Sequence, residues 1–324
     1  RSSAASDVYK RQVEIFGKAR LKNEELTQFH KDLASSIQKV TEELIFHVLN
    51  HLQKRTGLKN ICIAGGVAQN SVANGKIIDN TKFENIYIPP AGHDAGTSIG
   101  SALWLYNHIQ NNERIQPMQH SYFGSKFSDE EIESYLELKG VKYKKYSDDE
   151  LNDKVTDCLI DAGVVGWFQG RAEFGPRSLG HRSIIADPTR CDAKEILNLK
   201  IKRREAFRPF APSILKEFVS EYFEKADDVP FMEKVLKIKE SKRELLSAVT
   251  HVDGSGRLHT VDKVIELKYY RLIHAFYQKT GVPILLNTSF NENEPIVNTP
   301  AEAYACFLRT KMDMIVMGNI VVER

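Results

Sequence analysis

The sequence is poor in cysteine and has no long apolar segment. Its four cysteines lie far apart among 324 residues and form no CxxC pair; they are Cys62, Cys158, Cys191 and Cys306. This spacing gives no support to a zinc ribbon or a redox motif, and ordinary buried thiols are the expected state. No stretch approaches the roughly 18 apolar residues of a membrane span, and no signal-peptide pattern opens the chain. We therefore expect a cytoplasmic protein with no membrane partner.

A large excess of charge of one sign is also absent. The chain has 45 Lys and Arg residues against 43 Asp and Glu residues, a formal net charge of +2. Proteins that bind nucleic acids usually carry a basic excess across a whole domain, so the composition argues against a nucleic-acid partner. With 42% hydrophobic residues, the sequence is typical of a globular protein large enough for two cores.

Positive charge is concentrated in one stretch. Between Arg171 and Arg208 there are ten Lys or Arg residues and five Asp or Glu residues, so this stretch carries more net positive charge than the whole chain. Arginine predominates there, and its planar guanidinium matches the oxygens of phosphate or carboxylate with two hydrogen bonds. Glycines at positions 166, 170, 175 and 180 allow tight turns and close approach of backbone amides to a ligand. The stretch predicts an anion site, and the alternative is a solvated basic face without function.

The hydrophobic pattern predicts an α/β fold. Apolar runs at residues 164–168, 183–186 and 209–215 predict short buried strands that hold the arginines on a rigid frame. Apolar residues at three- and four-residue steps predict a long helix from residue 23 until Gly57 ends the pattern. The other predicted helices cover residues 97–108, 128–138, 148–162, 216–225 and 261–279, and the other predicted strands cover residues 60–64, 85–89, 141–146 and 283–290.

Four sequence blocks in a fixed order resemble the C-terminal domain of the carbamoyltransferases that modify nodulation factors and antibiotics. The blocks lie at residues 170–183, 202–212, 252–261 and 283–295, and contain the sequences EFGPRSLG, REAFRPFAP, VDGSGRLHTV and PILLNTSFNENEP. The resemblance implies a YrdC-like domain, a twisted sheet folded around a positively charged cavity. The family usually has Gln where this chain has His259.

The resemblance also implies a reaction and the residues that carry it. In this family the C-terminal domain releases phosphate from carbamoyl phosphate and attaches the carbamoyl group to AMP from ATP. The Kae1-like domain then passes the group from carbamoyladenylate to a hydroxyl of a small-molecule acceptor. Carbamoyl phosphate is a small dianion that fixed cations suit electrostatically. The residues expected to act in catalysis are Arg177, Arg182, Lys202, Arg208, Arg257, Asn287 and Ser289. His181 is a candidate proton shuttle, with a structural hydrogen bond as the alternative.

Residues 13–110 resemble the C-terminal half of an actin-like ATPase fold, as found in the Kae1-like domain of the same carbamoyltransferases. One predicted strand leads into a Gly-Gly-Val-Ala turn, and a second leads into a Gly-rich turn. A strand, a Gly-Gly turn and a helix N-terminus form a geometry in which backbone amides and the helix dipole can meet a nucleotide. The residues expected to bind ATP are Gly65, Gly66, Asn70, Asn74 and Arg171.

A divalent metal, iron or magnesium, is a further expected cofactor. The resemblance assigns Asp94 to the metal, and an N-cap role for the following helix is the alternative. A single carboxylate is an incomplete ligand set. His47 and His51 have the i,i+4 spacing of a ligand pair, but no Glu follows His47 as in a zincin. Packed or capping histidines are therefore the favoured interpretation of this pair.

The predicted organisation has four parts. These are a non-native or junction leader at residues 1–12, a partial Kae1-like domain at 13–110, a linker at 111–121 and a YrdC-like domain at 122–324. The phosphate-binding turn and the histidine pair that the family's Kae1-like domain supplies upstream are not found in the sequence. We therefore expect the fragment to be incomplete for full activity.

Hypotheses from other classes stay open. One is synthesis of threonylcarbamoyladenylate for tRNA modification, which is disfavoured because those proteins lack the fused Gly-Gly-Val-Ala half-domain. Another is a non-catalytic nucleotide- or RNA-binding module in which the arginines contact backbone phosphates. The acceptor and the oligomeric state stay open too, with a homodimer as one candidate.

Overall fold

The computed structural model describes residues 3–21, 24–205 and 207–324. The chain forms two compact units, one that ends at His51 and one that begins at Leu52. The boundaries predicted near residues 110 and 122 both fall inside the second unit. The four-part organisation therefore stays a prediction.

The first unit is helical where it is described. Helix α1 covers Ser3–Phe16, within and beyond the segment predicted as a leader, and helix α2 covers Gln28–Thr56. The long helix predicted from residue 23 is thus present, with its first turn at Gln28; residue 23 itself lies outside the described residues. Much of the apolar stripe that predicts this helix is exposed, including Phe29 and Leu44. His47 and His51 are exposed as well.

The second unit begins with two short parallel strands, β1 (Asn60–Cys62) and β2 (Asn85–Tyr87). Each runs toward a turn of 3-10 helix, at Gly66–Gln69 and at Asp94–Gly96. Three α-helices follow these turns: α3 (Ser71–Asn74), α4 (Ile77–Asn80) and α5 (Thr97–Trp104), the last continued by a π-helical turn over Leu105–Ile109. The predicted order of strand, glycine-rich turn and helix is confirmed twice.

The remaining strands are β3 (Lys144–Lys145), β4 (Val165–Phe168), β5 (Arg182–Ala186), β6 (Ala211–Leu215), β7 (Val235–Lys237), β8 (Ser255–Arg257), β9 (His259–Val261), β10 (Ile284–Ser289), β11 (Met314–Met317) and β12 (Ile320–Glu323). The described part of the chain contains one large sheet of eight strands, in the order β3-β12-β11-β4-β5-β10-β6-β9, and a small β7-β8 sheet. In the large sheet β4 is parallel to β11 and β6 is parallel to β9, and the other neighbours are antiparallel.

The remaining α-helices are α6 (Asp129–Leu138), α7 (Asp148–Ile160), α8 (Ala193–Ile196), α9 (Val219–Tyr222), α10 (Glu240–Arg243), α11 (Leu267–Thr280) and α12 (Pro300–Arg309). A π-helical turn over Leu197–Ile201 follows α8, and a 3-10 turn over Lys216–Phe218 precedes α9. At the start of α6, Ser128 and Glu131 form a capping box, in which each side chain accepts a hydrogen bond from the other residue's backbone N–H.

The central strands carry the core of the second unit. Every residue of β4, β5 and β6 is buried, together with large side chains such as Trp167, Phe276 and Phe290. Strands covered on both faces appear in the sequence as continuous apolar runs. That relation is the reason the runs at 164–168, 183–186 and 209–215 predict them, and the predicted α/β class is confirmed.

Two predicted helices differ from the structure. The helix predicted from residue 261 begins at Leu267, because Val261 belongs to β9, where it is paired with Leu215 of β6, and a turn follows it. The helix predicted over 216–225 ends at Tyr222, because Phe223 leaves the helical path to form a bridge with Ile238. In both places a tertiary strand contact overrides the local pattern. None of the described helices is long and apolar enough to cross a membrane.

Candidate active site

The basic motifs converge on one edge of the large sheet. Strand β10 lies antiparallel between β5 and β6, so its C-terminal end lies beside the N-terminal ends of both neighbours. Ser289 of β10 is paired with Ser183 of β5, and Asn287 is paired with Ala211 of β6. The loop that enters β5 carries Arg177, and the loop that enters β6 carries Arg204 and Arg208. These loops therefore reach the same edge as the Asn-Thr-Ser sequence of β10.

A cavity of about 360 Å³ lies at this edge, and we call it the arginine cavity. Its cationic lining residues are Arg177, Arg204, Arg208 and Arg257. None of the described residues that line it is an Asp or a Glu. The wall is completed from the N-terminal part of the second unit by Ser71 of α3 and its neighbour. The cavity is therefore strongly cationic and lacks an internal counter-charge.

Arg257 shows the electrostatic consequence most clearly. Burial, followed by the charges of Arg177 and Arg204, lowers the pKa of Arg257 to about 9. Burial also lowers the pKa of Arg177. The Arg177 guanidinium donates a long hydrogen bond of 3.4 Å to the carbonyl of Gln69. Within the described residues, Arg257 has no hydrogen bond or ion pair. An anionic ligand would relieve this repulsion.

The other two arginines are anchored beside the cavity. Arg204 donates a hydrogen bond of 2.7 Å to Asn198 Oδ1, and its guanidinium lies 4.9 Å from the centre of the Phe210 ring. Arg208 forms an ion pair of 3.1 Å with Glu205 and keeps about half of its side chain exposed. These contacts hold the two side chains without neutralising the cavity as a whole.

Buried polar atoms of the lining residues also lack partners. Asn287 donates through its side-chain amide to the Ser178 carbonyl at 3.2 Å and to Ser213 Oγ at 3.0 Å. These bonds determine the orientation of the amide, so its Oδ1 is an acceptor, and this atom has no partner among the described residues. Ser178 Oγ is also buried without a hydrogen-bond partner among the described residues. A buried polar group left unpaired costs about 1–3 kcal/mol, which a ligand or water can offset.

Lys202 contacts a residue of the cavity lining, Ser289, without lining the cavity itself. It is almost fully buried, and its Nζ lies within 3.1 Å of four oxygens, the carbonyl and side-chain oxygens of Ser289 and Asn291. Burial, then the charge of Arg204, lowers the pKa of Lys202 to about 7. Ser289 lines the cavity and Lys202 does not. Lys202 thus positions Ser289, a role the sequence did not distinguish from direct anion contact.

Arg182, predicted as an anion ligand, is not among the residues that line the arginine cavity. Its guanidinium is fully buried and donates to the carbonyls of Gln169 at 2.5 Å and Ser125 at 3.2 Å, besides two others. It also lies 3.6 Å from the centre of the Phe168 ring, and burial lowers its pKa to about 10. Its terminal nitrogens donate to backbone carbonyls, while its buried Nε has no partner among the described residues. Arg182 is outside the cavity lining and stabilises the loop before β5.

The loop that carries Arg177 is organised by Glu173. Its Oε1 accepts backbone hydrogen bonds from Leu179 at 2.6 Å, His181 at 2.9 Å and Arg182 at 3.3 Å. A carboxylate that accepts several backbone N–H groups replaces the regular partners that a tight loop lacks. The acidic residue inside the basic motif is therefore a structural support.

His181 also has structural partners. Its Nδ1 donates to the Arg171 carbonyl at 2.5 Å, and its Nε2 lies at an ion-pair distance of 2.9 Å from Glu266. Burial acts to lower the pKa of His181, but Glu266, Glu173 and the Arg171 carbonyl together raise it. The imidazole ring stacks on the ring of Tyr122, with 3.9 Å between the two ring centres. His181 is not among the residues that line the arginine cavity, so the geometry favours the structural alternative over a proton shuttle.

The residues predicted to bind ATP are separated in the structure. Gly65 has φ +106°, a value suited to glycine, and its N–H donates to the Gly92 carbonyl at 2.5 Å. Asn70 caps α3 by accepting from a backbone N–H, and Asn74 is buried with hydrogen bonds to the carbonyls of Ala68 and Glu233. Gly66 begins the 3-10 turn, and a Cβ added at this position would meet no atom within 4 Å. Exposed Arg171 donates to the Gly124 carbonyl at 3.0 Å and lines neither this turn nor the arginine cavity.

Asp94 lies with Gly65 in a second cavity of about 430 Å³, between the two glycine-rich turns. His93 lines the same cavity, and its Nδ1 is buried without a partner among the described residues. No group of three His, Cys, Asp or Glu side chains with metal-binding proximity occurs in the described part of the chain. The residues present therefore do not form a complete metal site, and Asp94 as a metal ligand stays a prediction.

Two family models match the chain. The model described as "Carbamoyltransferase C-terminus" matches residues 156–324, and the model described as "Carbamoyltransferase N-terminus" matches residues 2–103. The chain belongs to the carbamoyltransferase family. This membership places the arginine cavity in a family of transferases.

The carbamoyltransferase chain is similar to several curated proteins. Nodulation protein NolNO of Sinorhizobium fredii is 44% identical over 310 residues, which cover 94% of this chain and 46% of that protein. Nodulation protein NolO of Bradyrhizobium diazoefficiens is 40% identical over 313 residues, which cover 94% of this chain and 57% of that protein. The chain thus spans about half the length of these relatives.

Solved structures show more distant likeness. Full-length HypF in a phosphate- and nucleotide-bound form matches 54% of this chain and 22% of its own, with 18% identity and a TM-score of 0.39. Sua5 of P. abyssi complexed with L-threonine matches 54% of this chain and 48% of its own, with 12% identity and a TM-score of 0.38. Scores of this size carry no argument about the site.

Sequence reasoning missed His251 as a site residue of this carbamoyltransferase. It lines the arginine cavity one residue before the third sequence block. Arg204 and Ser178 lie inside the sequence blocks and line the cavity, but they are not among the residues expected to act in catalysis. A single histidine without a motif gives no pattern that distinguishes it from a packed one.

Proposed function

We propose that this carbamoyltransferase chain binds carbamoyl phosphate and ATP at the arginine cavity, and that the whole enzyme forms carbamoyladenylate and transfers the carbamoyl group to a hydroxyl of a small-molecule acceptor. The observation that carries the proposal is a cavity with several arginines and no carboxylate among its described lining residues. Such a site stabilises a ligand with concentrated negative charge.

The size of the cavity supports a small donor. Ligand pockets usually measure about 300–1,000 Å³, and a cavity of about 360 Å³ stands near the lower limit of that range. Carbamoyl phosphate combines a dianionic phosphate with an uncharged amide, so it needs cations on one side and neutral polar groups on the other. The unpartnered Asn287 Oδ1 and Ser178 Oγ are neutral groups of that kind.

The proposed chemistry requires charge stabilisation in both steps. Hydrolysis of carbamoyl phosphate gives carbamate and phosphate, and a carbamate oxygen then displaces pyrophosphate at the α-phosphorus of ATP. Each step develops negative charge on a leaving group, and Arg177, Arg204 and Arg257 are fixed cations close to one another. Positioning and electrostatics are the main demands of such reactions. Ser289, held by Lys202, would orient the donor.

Other parts of the proposal concern the complete protein. We propose a cytoplasmic enzyme that takes a hydroxyl compound as its acceptor, and nucleotide at the Gly65–Asp94 cavity for the transfer step. The apolar and glycine-rich surroundings of that cavity suit a nucleoside better than a phosphate. A divalent metal and a second copy of the chain remain candidate partners.

Pyrophosphate release tests the proposal. The chain is incubated with ATP, with and without carbamoyl phosphate, beside the variants Arg257→Ala and Arg271→Ala. Arg271 is a matched control, since it lies 3.7 Å from Asp148 and outside the cavity. We expect release that requires carbamoyl phosphate, disappears in Arg257→Ala and persists in Arg271→Ala. Release that ignores carbamoyl phosphate, or failure of the folded chain to bind either ligand, would contradict the proposal.

A further inference from the structure

His251 lies in the wall of the arginine cavity but is absent from the proposed chemistry above. It precedes β8 in a tight turn, in which its N–H donates to the Ser255 carbonyl at 2.7 Å and its own carbonyl accepts from Gly254 at 2.9 Å. Gly254 has φ +77°, which allows the turn. The backbone therefore fixes the position of the imidazole relative to Arg257, two residues beyond Ser255.

The hydrogen-bond network around His251 determines which ring nitrogen carries the proton. Ser255 Oγ lies 2.5 Å from Asp253 Oδ1, and Asp253 also forms an ion pair of 3.1 Å with Lys237. An ionised carboxylate can only accept, so the single hydroxyl hydrogen of Ser255 is donated to Asp253. His251 Nδ1, 3.1 Å from Ser255 Oγ, must then be the donor in that contact. Nε2 is left as a lone-pair acceptor.

Burial, more than the charges around the ring, keeps His251 neutral. Burial is the main cause that lowers the pKa of His251 to about 4; Asp253 opposes it, while Arg257, Lys194 and Lys237 add to it. Nε2 is buried and has no hydrogen-bond partner among the described residues. The neutral ring that carries this acceptor lines a cavity whose charged lining groups are arginines. Unlike a carboxylate, it can accept an N–H without competing with the ligand for the cations.

We infer that Nε2 of His251 accepts a hydrogen bond from the amino group of the carbamoyl donor, so that the arginine cavity selects carbamoyl phosphate over acyl phosphates of the same size and charge. The inference rests on the proposed function. The arginines recognise the phosphate, which all these donors share, and His251 recognises the one group that differs. Asp253 and Ser255 act as positioning residues that hold the tautomer.

Acetyl phosphate is the discriminating probe, because a methyl group replaces the amino group and the charge is unchanged. Calorimetric binding of carbamoyl phosphate and acetyl phosphate is compared in the wild-type chain and in His251→Asn. Asparagine can still donate near the position of Nδ1 but lacks the Nε2 acceptor. We expect the wild-type preference for carbamoyl phosphate to fall by about 5- to 100-fold, as for an unpaired polar group, while acetyl phosphate affinity changes by less than about threefold.

The possible outcomes separate the two proposals. No carbamoyl phosphate binding by the folded wild-type chain overturns the proposed function, and the role of His251 with it. Wild-type binding with a preference that survives in His251→Asn overturns the role of His251 alone. Equal affinity of the wild-type chain for carbamoyl phosphate and acetyl phosphate also overturns the role of His251 alone.

A readout without substitution keeps the test valid if His251→Asn fails to fold. Nitrogen-15 spectra of histidine-labelled wild-type chain report which ring nitrogen is protonated. For His251 we expect a protonated Nδ1 and an unprotonated Nε2 whose signal moves with carbamoyl phosphate and not with acetyl phosphate. A proton on Nε2 in the free protein, or equal responses to both donors, would overturn the inference. Ser255→Ala should release the tautomer and weaken the preference, and an unchanged preference there counts against the network.

Discussion

Replacing Arg257 by methionine should make the ligand-free protein more stable and abolish its response to phosphate. Burial, then Arg177 and Arg204, lowers the pKa of Arg257 from its ordinary value to about 9. At about 1.36 kcal/mol per pH unit, that difference corresponds to a penalty of at most about 5 kcal/mol for keeping the charge. Solvent screening reduces it, and we expect a gain of about 1–3 kcal/mol in the free energy of unfolding. Methionine keeps the unbranched stem and removes the charge.

The pH at which this holds follows from the sign of the linkage. The folded state lowers the pKa of Arg257, so the unfolded chain binds more protons between about pH 9 and the ordinary arginine pKa, and stability rises with pH across that window. Near neutral pH, below the window, the full penalty is present. The substitution should therefore act at ordinary assay pH.

Thermal unfolding with and without inorganic phosphate measures both effects. We expect Arg257→Met to raise the Tm of the free protein by about 2–12 °C, using roughly 2–4 °C per kcal/mol. Phosphate should raise the Tm of the wild type and leave that of the variant unchanged. Arg271→Met, which removes an exposed arginine beside Asp148, should give no such gain. A lower Tm for Arg257→Met without ligand, or an undiminished response to phosphate, would refute the electrostatic argument.

Two further predictions concern the loop before β5. Gly180 has φ +100°, and an added Cβ would overlap the ring of Tyr269, so Gly180→Ala should lower the free energy of unfolding by about 2–5 kcal/mol in denaturant titrations. Gly100→Ala in α5, where a Cβ meets open space, should be neutral or raise it by up to about 1 kcal/mol, and equal effects of the two changes would contradict this account. Glu266, Glu173 and the Arg171 carbonyl outweigh burial and raise the pKa of His181, so the protonated ring stabilises the fold below the ordinary histidine pKa of 6.5, and this contribution is lost as the pH rises through the folded value. Tm measured against pH should fall across that range and flatten in His181→Phe; a Tm that rises with pH would contradict it.

Much of the frame of the site could be predicted from the sequence. Buried strands β4, β5 and β6 appear as apolar runs because both their faces are covered. The convergence of Arg177 and Arg208 with Asn287 follows once β10 is placed between β5 and β6. The order of the strands, however, depends on long-range pairing that local patterns do not report.

The roles of individual side chains could not be predicted in the same way. Arg182 and Arg177 lie in one motif, yet the terminal nitrogens of Arg182 donate to backbone carbonyls while Arg177 lines the cavity. Residue type indicates that an anion can be bound, and loop geometry decides which arginine faces it. His251 acquires its meaning from Asp253 and Ser255, whose hydrogen bonds exist only in the folded turn.

One missed element did have a sequence pattern. Strands β11 and β12 were not predicted, although two apolar runs flank Gly318 and Asn319. A two-residue Gly-Asn loop between such runs is a hairpin pattern, and Gly318 has φ +61° as that turn requires.

Titration calorimetry of carbamoyl phosphate is the most direct test of the central claim, that the arginine cavity is the donor site. The wild-type chain should bind one molecule, inorganic phosphate should compete with it, and the double variant Arg177→Ala/Arg257→Ala should lose the binding while remaining folded. Binding that the double variant retains unchanged, or a folded wild-type chain that gives no binding, would contradict the account.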